Sequence, residues 1–148
     1  MKSIFDETTR LDLINRINTL NENSVAQWGK MNIHQMVKHC TLCDEMYLGK
    51  TKYKRNFIGL LFGKIALNKL MKNDKPKEMN SPTKSNFKNL LAIGDIEIEK
   101  SKWISIVKEY EFYSEKKFVH WFYGKMTKDQ IGISVYKHID HHLRQFNA

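Results

Sequence analysis

The sequence predicts a single all-α domain, and three observations indicate this fold class. Apolar residues recur at intervals of three and four along four separate stretches of the chain. Long polar loops separate these stretches, and little of the sequence shows the alternation of apolar and polar residues that is typical of strands. The length of 148 residues suits one domain, spanning residues 1–148, with a core of its own. We therefore expect a bundle of four principal helices.

The first two principal helices lie in the first third of the chain. Asp6 or Thr8 can cap the first, which is expected to end between Asn18 and Asn21. Its apolar positions are Leu11, Leu13, Ile14, Ile17 and Leu20. Asn32 can cap the second helix, for which Gly49 is a natural stop. The apolar stripe of this helix consists of Ile33, Met36, Val37, Cys40, Cys43 and Tyr47.

A long connection is predicted between the second and third principal helices. From Tyr53 to Met71 the pattern is helical but interrupted by glycines, and residues 72–85 are polar and contain both prolines of the chain. The most apolar window, residues 57–70, is shorter than the roughly 20 residues that a membrane span requires. This window could lie on a surface, but we do not expect it to cross a bilayer.

The third and last principal helices come after this connection. The third is predicted from about Asp95 to Tyr110, and residues 118–123 form a short extended piece. Its buried face consists of Ile96, Trp103, Ile106, Val107 and Tyr110. Thr127 opens the last helix, and Gln130 three residues later completes a capping box. The inward stripe of the last helix consists of Ile131, Val135, His138, His142 and then Gln145 or Phe146.

Two histidines on this inward stripe are the most informative feature of the sequence. His138 and His142 are four residues apart, so their side chains leave one helical face about 6 Å from each other and can hold one metal ion. His39, at the edge of the apolar stripe of the second helix, is the leading candidate for a third ligand. Three imidazoles leave a coordination position for water or substrate, as in catalytic sites. The alternative is that these are core or surface histidines satisfied by hydrogen bonds.

Three neighbouring polar residues are left outside the predicted site. His141 is displaced by about 100° from His142 around the helix, and Asp140 lies on the far side of the helix from the histidine pair. A cap, an ion pair or solvent explains Asp140. His34 precedes His39 by five residues, a poor spacing for sharing a ligand, and is interpreted as a surface residue.

The pair Cys40 and Cys43 allows three interpretations. Both cysteines fall within the apolar stripe of the second helix, so packing as small buried hydrophobes explains them. They could instead join His138 and His142 in a structural zinc site, or serve in redox chemistry. Residues 120–124, four of them aromatic or imidazole, could form one wall of a pocket above the metal or simply fill the core.

The charge and the N-terminus bear on partners and location. The net charge is +9, which attracts nucleic acids when the cations are clustered. Here the lysines are scattered along most of the chain, with only modest concentrations from Lys50 to Arg55 and from Lys69 to Lys77. No nucleic-acid motif accompanies them, so nucleic-acid binding is not expected. No apolar run follows the early lysine, so a secretory signal is not indicated and we expect a cytoplasmic protein. A homodimer is compatible with a small bundle, but no exposed stripe requires one.

Four stretches of the sequence carry a resemblance to a known family. They are residues 28–39, the Asn80–Thr83 segment, residues 122–130 and residues 136–146, of which the last is the most specific. Together they resemble the DinB-like superfamily and, within it, are most similar to the DUF1569 family. The resemblance implies a four-helix bundle in an up-down-down-up arrangement and a divalent metal held by His39, His138 and His142. The adjacent His141 is a departure that makes the last assignment depend on helical spacing.

The function expected from these features is metal-dependent chemistry on a small molecule. Zinc, nickel, manganese or iron would activate a bound water or a substrate thiol, as in a hydrolase or a thiol-dependent transferase that uses a low-molecular-weight thiol. The sequence offers no general base by which to separate the two reactions. The alternative is a non-catalytic binding or sensing module with a structural metal site or a basic interaction surface.

Overall fold

The protein is mostly helical in a computed structural model that describes residues 1–77, 79, 93–114 and 117–148. A short 3-10 turn follows the fourth helix, and a two-stranded antiparallel hairpin precedes the fifth. In the hairpin, Val119 pairs with Lys125 and His120 with Gly124. The elements in chain order are α1 (Glu7–Thr19), α2 (Ile33–Tyr47), α3 (Phe57–Leu70), α4 (Ile96–Lys108), β1 (Val119–His120), β2 (Gly124–Lys125) and α5 (Lys128–Gln145).

The predicted helix starts are confirmed where a side chain caps the backbone. Asn32 accepts a hydrogen bond from the backbone N–H of Gln35, whose side chain accepts one from the N–H of Asn32. Thr127 and Gln130 form the same reciprocal pair at the start of α5. Asp6 occupies the capping position of α1, but its side chain makes no capping hydrogen bond. The two helices that carry the histidines therefore begin at well-defined residues.

The helices bury their predicted apolar stripes against one another. α2 packs against α4 and α5, and α1 packs against the same two helices. Most of the apolar side chains of the α2, α4 and α5 stripes lie in one continuous core, and Cys43 and Ile106 are buried outside it. Leu11 of α1 is about half exposed. α4 ends at Lys108, earlier than predicted, because the chain tightens into the 3-10 turn Glu109–Phe112, which still buries Tyr110.

A buried carboxylate joins α2 to the fourth helix and its following turn. Asp44 is fully buried and accepts hydrogen bonds from the indole N–H of Trp103 at 2.8 Å and from the hydroxyl of Tyr110 at 2.9 Å. Burial raises the pKa of Asp44 to about 7, although the two hydrogen bonds favour the charged form. This buried polar group therefore links α2 to α4 and to the turn that follows it.

The connection between α2 and α4 contains a helix of its own, α3, which packs on the hairpin. A β-carbon added to Gly63 would lie 1.9 Å from the backbone oxygen of Phe122. Only glycine at position 63 therefore allows α3 and the hairpin to approach this closely. The extended piece predicted over residues 118–123 is wrong in part, because residues 121–123 form the turn of the hairpin. Residues 80–85 of the predicted connection, with Pro82 and the Asn80–Thr83 segment, lie outside the described residues.

None of the helices in the described ranges is long and apolar enough to span a membrane. α3 has 14 residues.

Candidate metal centre

Three imidazoles from two helices meet at one point, as the sequence predicts. One ring nitrogen from each of His39, His138 and His142 lies within 4.8 Å of the others. The Nε2 atoms of His39 and His138 are 3.0 Å apart, and the ring of His142 lies 4.8 Å from each of the other two rings, centre to centre. These three residues therefore form a group that could hold a metal ion.

The two helices present these rings through regular helical spacing. His39 lies in the middle of α2 and is 3% exposed, and His142 on α5 is 5% exposed. His138 precedes His142 by one turn and is partly buried. Because α2 packs directly against α5, a ring from the middle of α2 reaches the pair on α5.

Burial keeps all three rings neutral. Burial lowers the pKa of His39 to about 3, with a further contribution from the positive charge of Lys77. Burial also lowers the pKa of His138 and of His142 well below the usual value. Repulsion from neighbouring histidines, when these are protonated, lowers both pKa values further. Neutral imidazole is the form that coordinates a metal ion, so at pH 7 the rings need lose no proton from an imidazolium before binding one.

The contact between His39 and His138 fits a metal ion at this point. Two Nε2 atoms at 3.0 Å can share one proton, which one ring donates and the other accepts. Two nitrogens that each bind zinc at about 2.1 Å in a tetrahedral arrangement lie roughly 3.4 Å apart. The observed separation is therefore within a few tenths of an ångström of the separation that coordination requires.

A second layer of hydrogen bonds orients the His142 ring. Nδ1 of His142 lies 2.8 Å from Oε1 of Gln145, and Nε2 of Gln145 donates to the backbone oxygen of Trp28 at 2.6 Å. Since the Gln145 amide nitrogen faces a carbonyl, its oxygen faces Nδ1, which must carry the proton. Nε2 of His142 is then the unprotonated nitrogen. This is the arrangement by which proteins orient metal-binding histidines.

Cys40 and Cys43 are both free and buried, but neither belongs to the group of three ligands. The thiol of Cys40 contacts the sulfur of Met36 at 3.7 Å, and Sγ of Cys43 lies 3.8 Å from Nε2 of His39. Burial raises the pKa of each thiol above its usual range, so both stay protonated. Both side chains pack in the protein interior, as the first interpretation of this pair expects.

The residues left outside the site have other partners. Nδ1 of His141 lies 3.3 Å from the backbone oxygen of Lys77, and its ring packs against Trp28. Asp140 forms ion pairs with Arg16 and Arg144, both at 2.9 Å. The sequence left open a cap, an ion pair or solvent contact for Asp140, and the structure shows ion pairs.

The interpretation of His34 as a surface residue is wrong. The residue is 8% exposed, and its two ring nitrogens lie 3.0 Å from a carboxylate oxygen of Glu22 and 3.2 Å from one of Glu99. Glu22 and Glu99 stand 12 and 65 residues away in sequence, so no local pattern could identify them.

Lys77 and Gln145 both influence the three histidines, and the sequence analysis did not assign either residue to the site. Burial lowers the pKa of Lys77, and the positive charge of this residue lowers the pKa of His39, His138 and His142. Lys77 lies in a polar segment without periodicity, where no signal marks it. For Gln145, the spacing of three residues from His142 was a usable signal, because such residues are neighbours on a helix.

The hairpin residues, for which the sequence left open a pocket wall or a place in the core, pack among aromatic rings. The ring of His120 stacks on Tyr123 at 4.6 Å between centres, and its Nδ1 accepts hydrogen bonds from the backbone N–H groups of Phe122 and Tyr123. Burial lowers the pKa of His120 to about 3, with a further contribution from the charge of Lys77. His120 is thus a neutral ring whose Nδ1 serves the hairpin turn.

A family model matches nearly the whole chain. The model described as a protein of unknown function, DUF1569, matches residues 5–148. No curated protein and no solved structure matches the chain.

Proposed function

The chain belongs to the DUF1569 family, and from the geometry of its histidine group we propose that it is a divalent-metal-dependent enzyme with His39, His138 and His142 as the metal ligands. The observation that carries this proposal is the meeting of three neutral imidazoles from two helices, with Nε2 of His39 3.0 Å from Nε2 of His138. Zinc, nickel, manganese and iron all accept imidazole ligands.

The proposed fold is the four-helix bundle of the DinB-like superfamily, with α1, α2, α4 and α5 in an up-down-down-up arrangement. The packing of α1 and α2 against the same two helices supports it. α3 then lies within the long connection between the second and third helices of the bundle.

The ligand set suits chemistry rather than a closed structural site, because three protein ligands leave a coordination position for another group. A divalent ion held there lowers the pKa of a bound water towards neutrality or stabilises a substrate thiol as the thiolate. Gln145 holds the His142 ring in the tautomer that coordinates. The substrate is then a small molecule in a hydrolysis reaction or a low-molecular-weight thiol in a transfer reaction.

The competing proposal is a non-catalytic module whose metal serves stability or sensing. The deep burial of His39 and His142 favours it, since structural sites exclude solvent. Both proposals require the same three ligands, and they differ in whether the fold survives the loss of one ligand.

Elemental analysis of protein purified without a histidine tag tests the metal site. We expect one equivalent of a divalent metal in the wild type, loss of most of it in His138→Ala with the helical content retained, and full occupancy in His141→Ala as the matched control. Loss of the fold together with the metal in His138→Ala would favour the structural site. Absence of metal from the wild type, before and after incubation with zinc, would reject both proposals.

A cobalt-loaded sample tests the open coordination position. Addition of cysteine or mercaptoethanol should change the visible spectrum through a new sulfur-to-cobalt band if a thiol can reach the ion. A spectrum that neither a thiol nor azide alters would contradict an open site and leave the structural module as the better description.

A further inference from the structure

The outer face of α3 is apolar and exposed. Six large apolar side chains of this helix are each more than half exposed, whereas other exposed apolar side chains of the described helices, such as Leu11 and Ile98, stand singly. Contiguous apolar patches of this kind mark sites of interaction with another surface. The α3 face consists of these six residues, Phe57, Ile58, Leu60, Leu61, Phe62 and Ile65.

The opposite side of α3 is fixed to the hairpin, so the α3 face points away from the protein. Gly59, Gly63 and Leu67 are spaced four residues apart on this side and are buried. The backbone N–H of Asn56 donates to the oxygen of Trp121 at 3.2 Å. The two glycines allow the backbone of α3 to touch the backbone of the hairpin. A rotation of α3 that buried its apolar side chains against the hairpin would break this backbone contact.

The chain around α3 carries only positive charge. Residues 46–73 contain seven lysines and arginines and no aspartate or glutamate. Lys50 is paired with Glu109 from outside this segment. Lys52, Lys54 and Lys64 are exposed. A partner of the α3 face must therefore offer both an apolar layer and negative charge.

We propose that α3 docks the protein on an anionic membrane surface, with the α3 face inserted among the acyl chains and the surrounding lysines on the lipid headgroups. A helix of 14 residues is about 21 Å long, which suits lying in the interface and is too short to cross it. Exposed apolar side chains can be buried at the boundary between headgroups and acyl chains, and anionic headgroups attract each nearby lysine. This inference does not depend on the metal site.

A second copy of the chain fits the α3 face less well. A symmetric dimer places the same patch of both subunits in contact, so it would bring the two basic segments together. Each segment carries seven cations and no anion. Anionic lipid supplies the negative charge that this segment lacks, whereas a second copy would place its own cations against those of the first.

Sedimentation with vesicles tests the proposal on the full, untagged chain. We expect binding to vesicles of equal parts phosphatidylglycerol and phosphatidylcholine, and weak binding to phosphatidylcholine alone. The variant Leu61→Ser/Ile65→Ser should bind at least about tenfold more weakly, because it removes two side chains that would be buried in lipid. Ile98→Ser, which removes an exposed apolar side chain from α4, should bind like the wild type.

Removal of charge tests the headgroup contact separately. Lys64→Gln should weaken binding roughly fivefold, and more salt should weaken it further, whereas Lys30→Gln outside the segment should bind like the wild type. Absence of binding to the anionic vesicles would overturn the proposal. So would equal binding by Leu61→Ser/Ile65→Ser, or a dimer in sedimentation velocity that this variant dissociates, since a second copy would then cover the α3 face.

Discussion

Nδ1 of His142 donates a hydrogen bond to the side-chain oxygen of Gln145, and this contact fixes which nitrogen of the ring can bind a metal ion. Gln145 is itself held by the backbone oxygen of Trp28, from the loop that leads into α2. Trp28 and Gln145 are 117 residues apart in sequence. The loop before α2 thus helps to orient a ring on α5.

Replacement of Gln145 should weaken metal binding without abolishing it. We expect Gln145→Leu to lower the affinity for zinc 10- to 100-fold, the usual effect of removing a partner that orients a metal-binding histidine. Gln145→Glu, which keeps an acceptor for Nδ1–H, should retain more of the affinity than Gln145→Leu. Competition with a chromogenic chelator measures both. Equal affinities in all three proteins would show that Gln145 does not orient the site.

The metal-free protein should lose stability as the pH falls from about 6.5 to 4. Burial lowers the pKa of His39 and His120 to about 3 and that of His141 to about 4. In this range the unfolded chain binds protons that the folded protein does not, so the free energy of unfolding falls with pH, by at most about 1.4 kcal/mol per pH unit for each histidine.

One buried carboxyl opposes this trend. The pKa of Asp44 is raised to about 7, so the folded state holds its proton more tightly than the unfolded chain does and gains stability as the pH falls towards 4. The histidines outnumber this single group. Urea denaturation at a series of pH values measures the balance, and a free energy of unfolding that is constant or rises between pH 6.5 and 4 would be inconsistent with neutral buried imidazoles.

Removal of the Asp44 carboxylate should destabilise the fold strongly. Asp44→Ala leaves the indole N–H of Trp103 and the hydroxyl of Tyr110 buried without their acceptor. Each unsatisfied buried donor costs about 1–3 kcal/mol, so we expect a loss of roughly 2–6 kcal/mol in the free energy of unfolding. The exposed Asp12→Asn should change it by less than about 0.5 kcal/mol. A similar small change in Asp44→Ala would refute this role.

An added methyl group at Gly63 should disturb the contact between α3 and the hairpin. Its β-carbon would lie 1.9 Å from the backbone oxygen of Phe122, which belongs to a turn and cannot yield as a flexible side chain can. We expect Gly63→Ala to lower the free energy of unfolding by about 1–3 kcal/mol, the usual cost of overpacking. Asn68→Ala, at an exposed position of the same helix, serves as the control. A stabilised Gly63→Ala would mean that α3 does not sit on the hairpin.

The sequence predicts the parts of this protein that depend on local patterns. The cap Asn32 marks the start of α2 and a capping box marks the start of α5, and the apolar stripes of these helices identify the faces that meet. Because His138 and His142 lie on such a stripe and His39 borders another, their convergence could be predicted from spacing.

Contacts between segments distant in sequence could not be predicted in this way. The burial of His34 depends on Glu22 and Glu99, and the role of Gln145 depends on the position of the Trp28 carbonyl. Lys77 comes close to the site from a polar segment that has no periodicity. The sequence allowed residues 57–70 to lie on a surface, but it did not identify which side chains face outward, because the backbone contact of α3 with the hairpin determines this.

X-ray absorption at the zinc edge of the zinc-loaded protein tests the three-histidine site most directly. We expect three nitrogen ligands at about 2.0–2.1 Å with the outer scattering of imidazole rings, at least one further light atom and no sulfur. Sulfur at about 2.3 Å would instead place Cys40 or Cys43 on the metal. That result, or a coordination shell with fewer than three imidazoles, would contradict the site formed by His39, His138 and His142.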